Sequence, residues 1–279
     1  MSSGVLCRPG VAIYYEICGS GPPLLIIPAA HGTHLTHEDL ALRLSSQYTV
    51  IGFDRRGSLR SRFLSPPTEQ QQRNLLKDTV DDIVALIQHL SPDQPVLIYS
   101  ISLGCMHALE LLTSYPDLVR QIIVHDPCIP CLLPKPSFEQ VSAAFQSTVS
   151  LYKSQGPAAA SEAFVPVVTS DEDRALLRFS PAHKKLLALS ILCFNFLFEH
   201  ELPILLEYRI SYPALKAYRD KITLIRGELS TTPLTTEPIT TLGGELGLPV
   251  KMVAGGHLPS ATHPGAFTQD LLSILGEAM

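Results

Sequence analysis

The sequence predicts an α/β chain with a mostly parallel central sheet, helices on both faces and an inserted helical cap. Three observations predict it. Short continuous apolar runs recur along the chain, as strands buried on both faces of a sheet require. Helical patterns separate most of these runs, the alternation that builds a covered parallel sheet. One long interval, between His125 and Lys221, breaks the alternation without a convincing strand.

The elements follow in order. Val11–Ile17 is β-branched and aromatic and stops at Gly19-Ser20-Gly21-Pro22-Pro23, a strand followed by a turn. Leu24–Ile27, Tyr48–Phe53, Pro95–Tyr99, Gln121–His125, Ile222–Ile225 and Val250–Val253 are the further expected strands. Between Leu75 and Leu90, apolar residues at 76, 80, 83, 84, 87 and 90 share one helical face. Helices are also expected over Met106–Tyr115 and from about Pro264 to Gly276. Residues 131–217 read as the helical cap, and residues 1–130 with 218–279 as the core. The apolar stretch Leu186–Phe198 reads as a buried or cap helix, because it is too short for a membrane span. Thr231–Thr236 reads as a polar loop.

With 279 residues, 46% of them hydrophobic and 17% charged, the chain can bury a large core. Its net charge of −5, with no run of Lys or Arg, gives no electrostatic footprint for nucleic acid. Met1–Gly10 lacks the apolar segment of a secretory signal. The six cysteines show no disulfide spacing and read as free thiols in a reducing, cytoplasmic setting. Cys128-Ile129-Pro130-Cys131 has no second cysteine pair to complete a zinc site.

Ser102 is the candidate nucleophile. A serine hydroxyl needs a base, an orienting acid and amides for the oxyanion. Tyr99-Ser100-Ile101-Ser102-Leu103-Gly104 follows an apolar strand and opens a helix, the setting of a nucleophile elbow. Ser100 and Gly104 are the small flanking residues, with serine where the first glycine is usual. His257, in Gly255-Gly256-His257 between the last strand and last helix, is the candidate base; His263, beside Pro264, reads as structural. For the acid, two carboxylates stay open. Asp126 ends the strand after the nucleophile's helix and is preferred. Glu228 lies in the loop after Ile222–Ile225, where Ser230 occupies the place at which an aspartate is customary. The backbone amides of Leu103 and Ala30 are the expected oxyanion donors, with Ala29 or His31 as the alternatives to Ala30. His31, Phe194, Phe196 and Phe198 are candidate substrate contacts. His31, His34 and His37 do not read as a metal site, and Asp54-Arg55-Arg56-Gly57 reads as a turn bracing the active-site loops.

With these residues placed, the chain resembles the α/β-hydrolase superfamily along nearly its full length. Tyr14-Tyr15-Glu16, Gly19-Ser20-Gly21-Pro22, Phe53-Asp54-Arg55-Arg56-Gly57 and Gly256-His257 are typical of it. Within it, His257-Leu258-Pro259-Ser260-Ala261-Thr262-His263-Pro264 and His125-Asp126-Pro127 are similar to the fungal zearalenone-type lactonases. That resemblance implies a Ser102–His257–Asp126 triad, an oxyanion amide at Ala30 and hydrolysis of a macrolactone ester. Those lactonases use glutamate as the acid and carry a cap tryptophan; this chain has Asp126 and no tryptophan.

The expected activity is therefore hydrolysis of an ester or lactone of an apolar small molecule, without metal or organic cofactor. Carbon–carbon cleavage, cyclisation or isomerisation on the same fold is the alternative, as is a non-catalytic ligand-binding role. No nucleic acid or membrane span is expected, and a homodimer is left open.

Overall fold

The computed structural model describes residues 1–181, 184 and 190–277. Part of the Leu186–Phe198 stretch lies outside the described residues. Among the described residues, nine strands form one sheet in the order β1-β2-β4-β3-β6-β7-β8-β9, with β5 paired to β2. They are β1 (Ser2–Arg8), β2 (Val11–Cys18), β3 (Pro23–Ile27), β4 (Thr49–Phe53), β5 (Arg62–Phe63), β6 (Val96–Ile101), β7 (Val119–His125), β8 (Ile222–Gly227) and β9 (Val250–Val253). From β4 to β9 every neighbouring pair is parallel. The ladders of β2 with β1, β4 and β5 are antiparallel.

Every residue of β3 and β6 is buried, so their uninterrupted apolar sequence is matched by burial on both faces. The core accordingly divides in two. One cluster packs Leu75–Leu90 and Gly104–Ser114 against the sheet and continues into the helices that follow β7. The other packs Glu38–Leu44 and Pro264–Glu277 against the opposite face.

Two expectations need correction. Ser2–Arg8 forms an edge strand although its sequence shows no apolar run. Its register from Ser2↔Ile17 to Arg8↔Val11 holds it through the backbone ladder, which asks little of exposed side chains. Thr231–Thr236 is not all loop, because a helix spans Pro233–Leu246. Pro233 suits the first turn, where its missing N–H costs nothing. Leu234, Ile239, Leu242 and Leu246 are its buried face.

Between β7 and β8 the chain forms an insert of helices, among them Lys135–Gln155, Pro157–Val168, Asp171–Leu177, Ser190–Phe196 and Leu202–Glu207. A π-helical turn, Leu197–Glu201, joins the last two. No described helix is long and apolar enough to cross a membrane.

Candidate active site

Ser102 stands between the end of β6 and the helix Gly104–Ser114, with φ at +58°. A non-glycine residue in the left-handed region is strained, and such strain collects at functional turns. Its backbone N–H donates to the His125 carbonyl at 3.0 Å, tying the turn to β7. The small flanking residues have separate reasons. A Cβ on Gly104 would meet the Pro28 and Ile27 carbonyl oxygens at 2.6 and 2.7 Å. Ser100 is fully buried and donates its hydroxyl to the Ile123 carbonyl at 2.9 Å, so its polar group is satisfied within the sheet.

His257 follows β9 and Asp126 follows β7, and the structure brings both to Ser102. His257 Nε2 is 3.0 Å from Ser102 Oγ. Its Nδ1 is 3.4 Å from Asp126 Oδ2. All three side chains are buried. Asp126 also has positive φ, +42°, and its carboxylate is held from β8: Gly227 N–H donates to Oδ1 at 3.2 Å, and the Ser230 hydroxyl donates to Oδ2. Glu228, the alternative acid, has an exposed side chain, and its backbone N–H donates to the Val253 carbonyl at 3.0 Å.

Burial opposes a charge on His257, but the Cys128 sulfur, 3.8 Å from Nε2, and the Asp126 carboxylate outweigh it and raise its pKa. On the backbone side, His257 N–H donates to Asp173 Oδ2 at 2.7 Å. Asp173 comes from the insert, and burial raises its pKa. Its carboxylate fits against Gly256, where a Cβ would lie 2.3 Å from either oxygen.

The loop after β3 is braced by Arg55, which is fully buried. Nη1 donates to the Pro28 and Ala29 carbonyls at 2.7 and 2.6 Å, and Nη2 to Ala30 at 3.3 Å. In a trans peptide the C=O of one residue and the N–H of the next point in opposite directions. Fixing the Ala29 carbonyl on Arg55 therefore turns the Ala30 N–H away from the guanidinium, and Ala30 lines the cavity. At the elbow, the Ser102 carbonyl accepts from Cys105 N–H at 3.1 Å, which directs the Leu103 N–H the other way. Arg55 is paired in turn with Glu201 of the insert through two 3.0 Å bonds, the bidentate geometry in which guanidinium and carboxylate match best.

Above Ser102 and His257 lies a cavity of about 250 Å³. Ala29, Ala30, His31 and Leu258 line it from the core, and Phe164, Val165, Val168, Leu177 and Phe194 from the insert. His31 is neutral: burial and the Arg55 charge push its pKa down to about 3. Its Nδ1 accepts from Thr33 N–H at 3.4 Å, and its Nε2 lies 3.0 Å from the Thr36 hydroxyl. His34 and His37 turn to other partners, Glu16 at 3.9 Å and Ser260 at 3.4 Å. No metal-holding group of three or more His, Cys, Asp or Glu occurs among the described residues.

The phenylalanines are sorted by the structure. Phe194 lines the cavity. Phe198 does not: it is buried behind Phe194, stacked on that ring at 5.6 Å and packed on Phe164 and Tyr152. Phe196 packs instead on Phe63 and His200 and closes over Gly57. Helical spacing explains the split, since residues two apart point to different sides.

The sequence profile of the alpha/beta hydrolase fold matches residues 22–174. The chain belongs to the α/β-hydrolase family. The thermophilic esterase of Thermogutta terrifontis superposes on this α/β hydrolase with a TM-score of 0.79 at 17% identity, covering 100% of this chain and 99% of the esterase. A carboxylesterase structure from Nitrososphaera gargenis gives 0.76 at 21% identity, over 99% and 98% of the two chains. In sequence, the hydrolase YraK of Bacillus subtilis is 26% identical over 77% of this chain and 73% of its own. The zearalenone hydrolase of Cladophialophora bantiana is 26% identical over 54% of this chain and 55% of its own. The 2-(acetamidomethylene)succinate hydrolase of Mesorhizobium japonicum is 33% identical over 39% and 36%.

Sequence reasoning did not anticipate Glu201, Asp173 or Cys128 as neighbours of the site. The Asp54-Arg55-Arg56 turn signals that something is braced there, but its partner lies 146 positions away. Ser230 carried a usable signal, a hydroxyl residue at the place of a customary acid.

Proposed function

We propose that this α/β hydrolase is a serine hydrolase that cleaves an ester or lactone of an apolar small molecule through an acyl-enzyme. The observation that carries the reading is the 3.0 Å contact between Ser102 Oγ and His257 Nε2 on the floor of an apolar cavity. In this reading Ser102 Oγ bonds to the carbonyl carbon while its proton passes to His257 Nε2. The amides of Ala30 and Leu103 bind the oxyanion. On collapse the carbon–oxygen bond to the alcohol breaks, and His257 returns the proton to the leaving oxygen. Water then bonds to the acyl carbon while His257 takes its proton, and the acyl–Oγ bond breaks as His257 returns that proton to Ser102, releasing the acid. Asp126 keeps the Nδ1 proton in place and offsets the imidazolium charge. These steps need no metal or organic cofactor.

The insert, residues 131–217, acts as the cap that selects substrate. Mostly apolar walls favour an uncharged molecule. The Glu162 carboxylate, also among the lining residues, disfavours a succinate-type substrate with two carboxylates. The likeness to a zearalenone hydrolase supports a lactone, with a polyketide-type macrolactone as its form. The test is turnover of an uncharged aryl ester and of a macrolactone by Ser102→Ala. The reading expects both to be lost with the fold intact; retained turnover would contradict it.

A further inference from the structure

The Asp126 carboxylate is the most constrained charge in the site. Its backbone sits at φ +42°, and its N–H reaches the Ile225 carbonyl at 3.3 Å. Both oxygens are then claimed from the end of β8, Oδ1 by Gly227 N–H and Oδ2 by the Ser230 hydroxyl. Oδ2 is the oxygen that faces His257 Nδ1. Ser230 is buried, and its own N–H closes a turn on the Gly227 carbonyl at 3.1 Å. A Cβ on Gly227 would meet the Gly256 carbonyl oxygen at 2.5 Å, so the Ser230 turn and the His257 loop lie against each other. Two loops thus converge on one spot beside Nδ1, one carrying a carboxylate and the other a hydroxyl.

We propose that Ser230 is a positioning residue for the histidine–acid pair, holding the Asp126 carboxylate oxygen that faces His257 Nδ1. This rests on the Ser102–His257–Asp126 reading. The hydroxyl holds Oδ2 in line with Nδ1 across a left-handed turn that would otherwise relax.

The rate at which a fluorophosphonate labels Ser102 tests this, because labelling needs the serine and its base but no knowledge of the substrate. Ser230→Ala is expected to slow labelling about tenfold, the scale of one hydrogen bond to a charged group. Ser230→Thr, which keeps the hydroxyl, is expected to stay near the unmodified rate. Asp126→Ser is expected to lose about three to four orders of magnitude. Equal rates for Ser230→Ala and the unmodified protein, or equal losses in the Ala and Thr variants, would overturn the positioning role. No labelling of the unmodified protein would instead overturn the serine-hydrolase reading on which that role stands. Thermal melting of each variant separates a lost contact from a lost fold.

Discussion

Ser102, Asp126 and His257 stand at the carboxyl ends of β6, β7 and β9, whereas most of the cavity wall facing them comes from helices between β7 and β8. The first region is held by directional forces. Two of its three residues have strained backbones, and each side chain has a specific partner at hydrogen-bond range. The second is held by apolar packing of Phe164, Val168, Leu177 and Phe194, which is non-directional and tolerates change of shape. The two regions touch through two buried carboxylates of the insert, Glu201 on Arg55 and Asp173 on the His257 backbone. On the proposed function, the chemistry is set by the sheet and the selectivity by the insert, with few polar couplings between them.

The largest expected effect that would break this comparison lies on the sheet side. Asp126→Asn should lower kcat by about ten-thousandfold while leaving the fold intact. Glu228→Gln should leave kcat unchanged, since that side chain is exposed. Steady-state kinetics of the two variants checks both statements. At the coupling, Glu201→Gln leaves the buried Arg55 charge without its counter-ion and should destabilise the fold by about 3–5 kcal/mol, read as a lower midpoint in thermal or urea unfolding. On the insert side, Phe194→Ala should raise KM for an apolar ester by roughly tenfold, as one lost aromatic contact would, with kcat changed far less. Initial rates against substrate concentration separate the two constants.

The smallest effect concerns pH. In the proposed mechanism His257 acts as a base when neutral, and its raised pKa is expected to move the rising limb of kcat/KM above the range of an ordinary histidine. Cys128→Ala removes one of the influences that raise it. The limb should then move to lower pH while the plateau rate is kept, which a pH profile of kcat/KM measures.

The sheet side was legible because its signals are local. An apolar strand, a tight turn and a helix surround Ser102, and glycines precede His257. Even the strand end at Asp126 is marked by Pro127. The edge strand Ser2–Arg8 was not legible, because a backbone ladder leaves little trace in exposed side chains. The helix Pro233–Leu246 was hidden behind Thr231-Thr232-Pro233, which read as loop until its buried leucines were placed. On the insert side, composition announced helices but not which face meets the cavity. Phe194 and Phe198 differ only in the depth at which tertiary packing places them. Asp173 and Glu201 act across long sequence separations, and nothing near them in the chain names their partners.

The central claim is that Ser102 is activated by His257 and Asp126 at the floor of this cavity. The most direct measurement is mass spectrometry of the intact protein and its peptides after exposure to a fluorophosphonate at pH 8. The account predicts a single adduct on the peptide carrying Ser102, lost in Ser102→Ala and strongly slowed in His257→Ala. Absence of that adduct from the folded protein, or equal labelling of the His257→Ala variant, would contradict it.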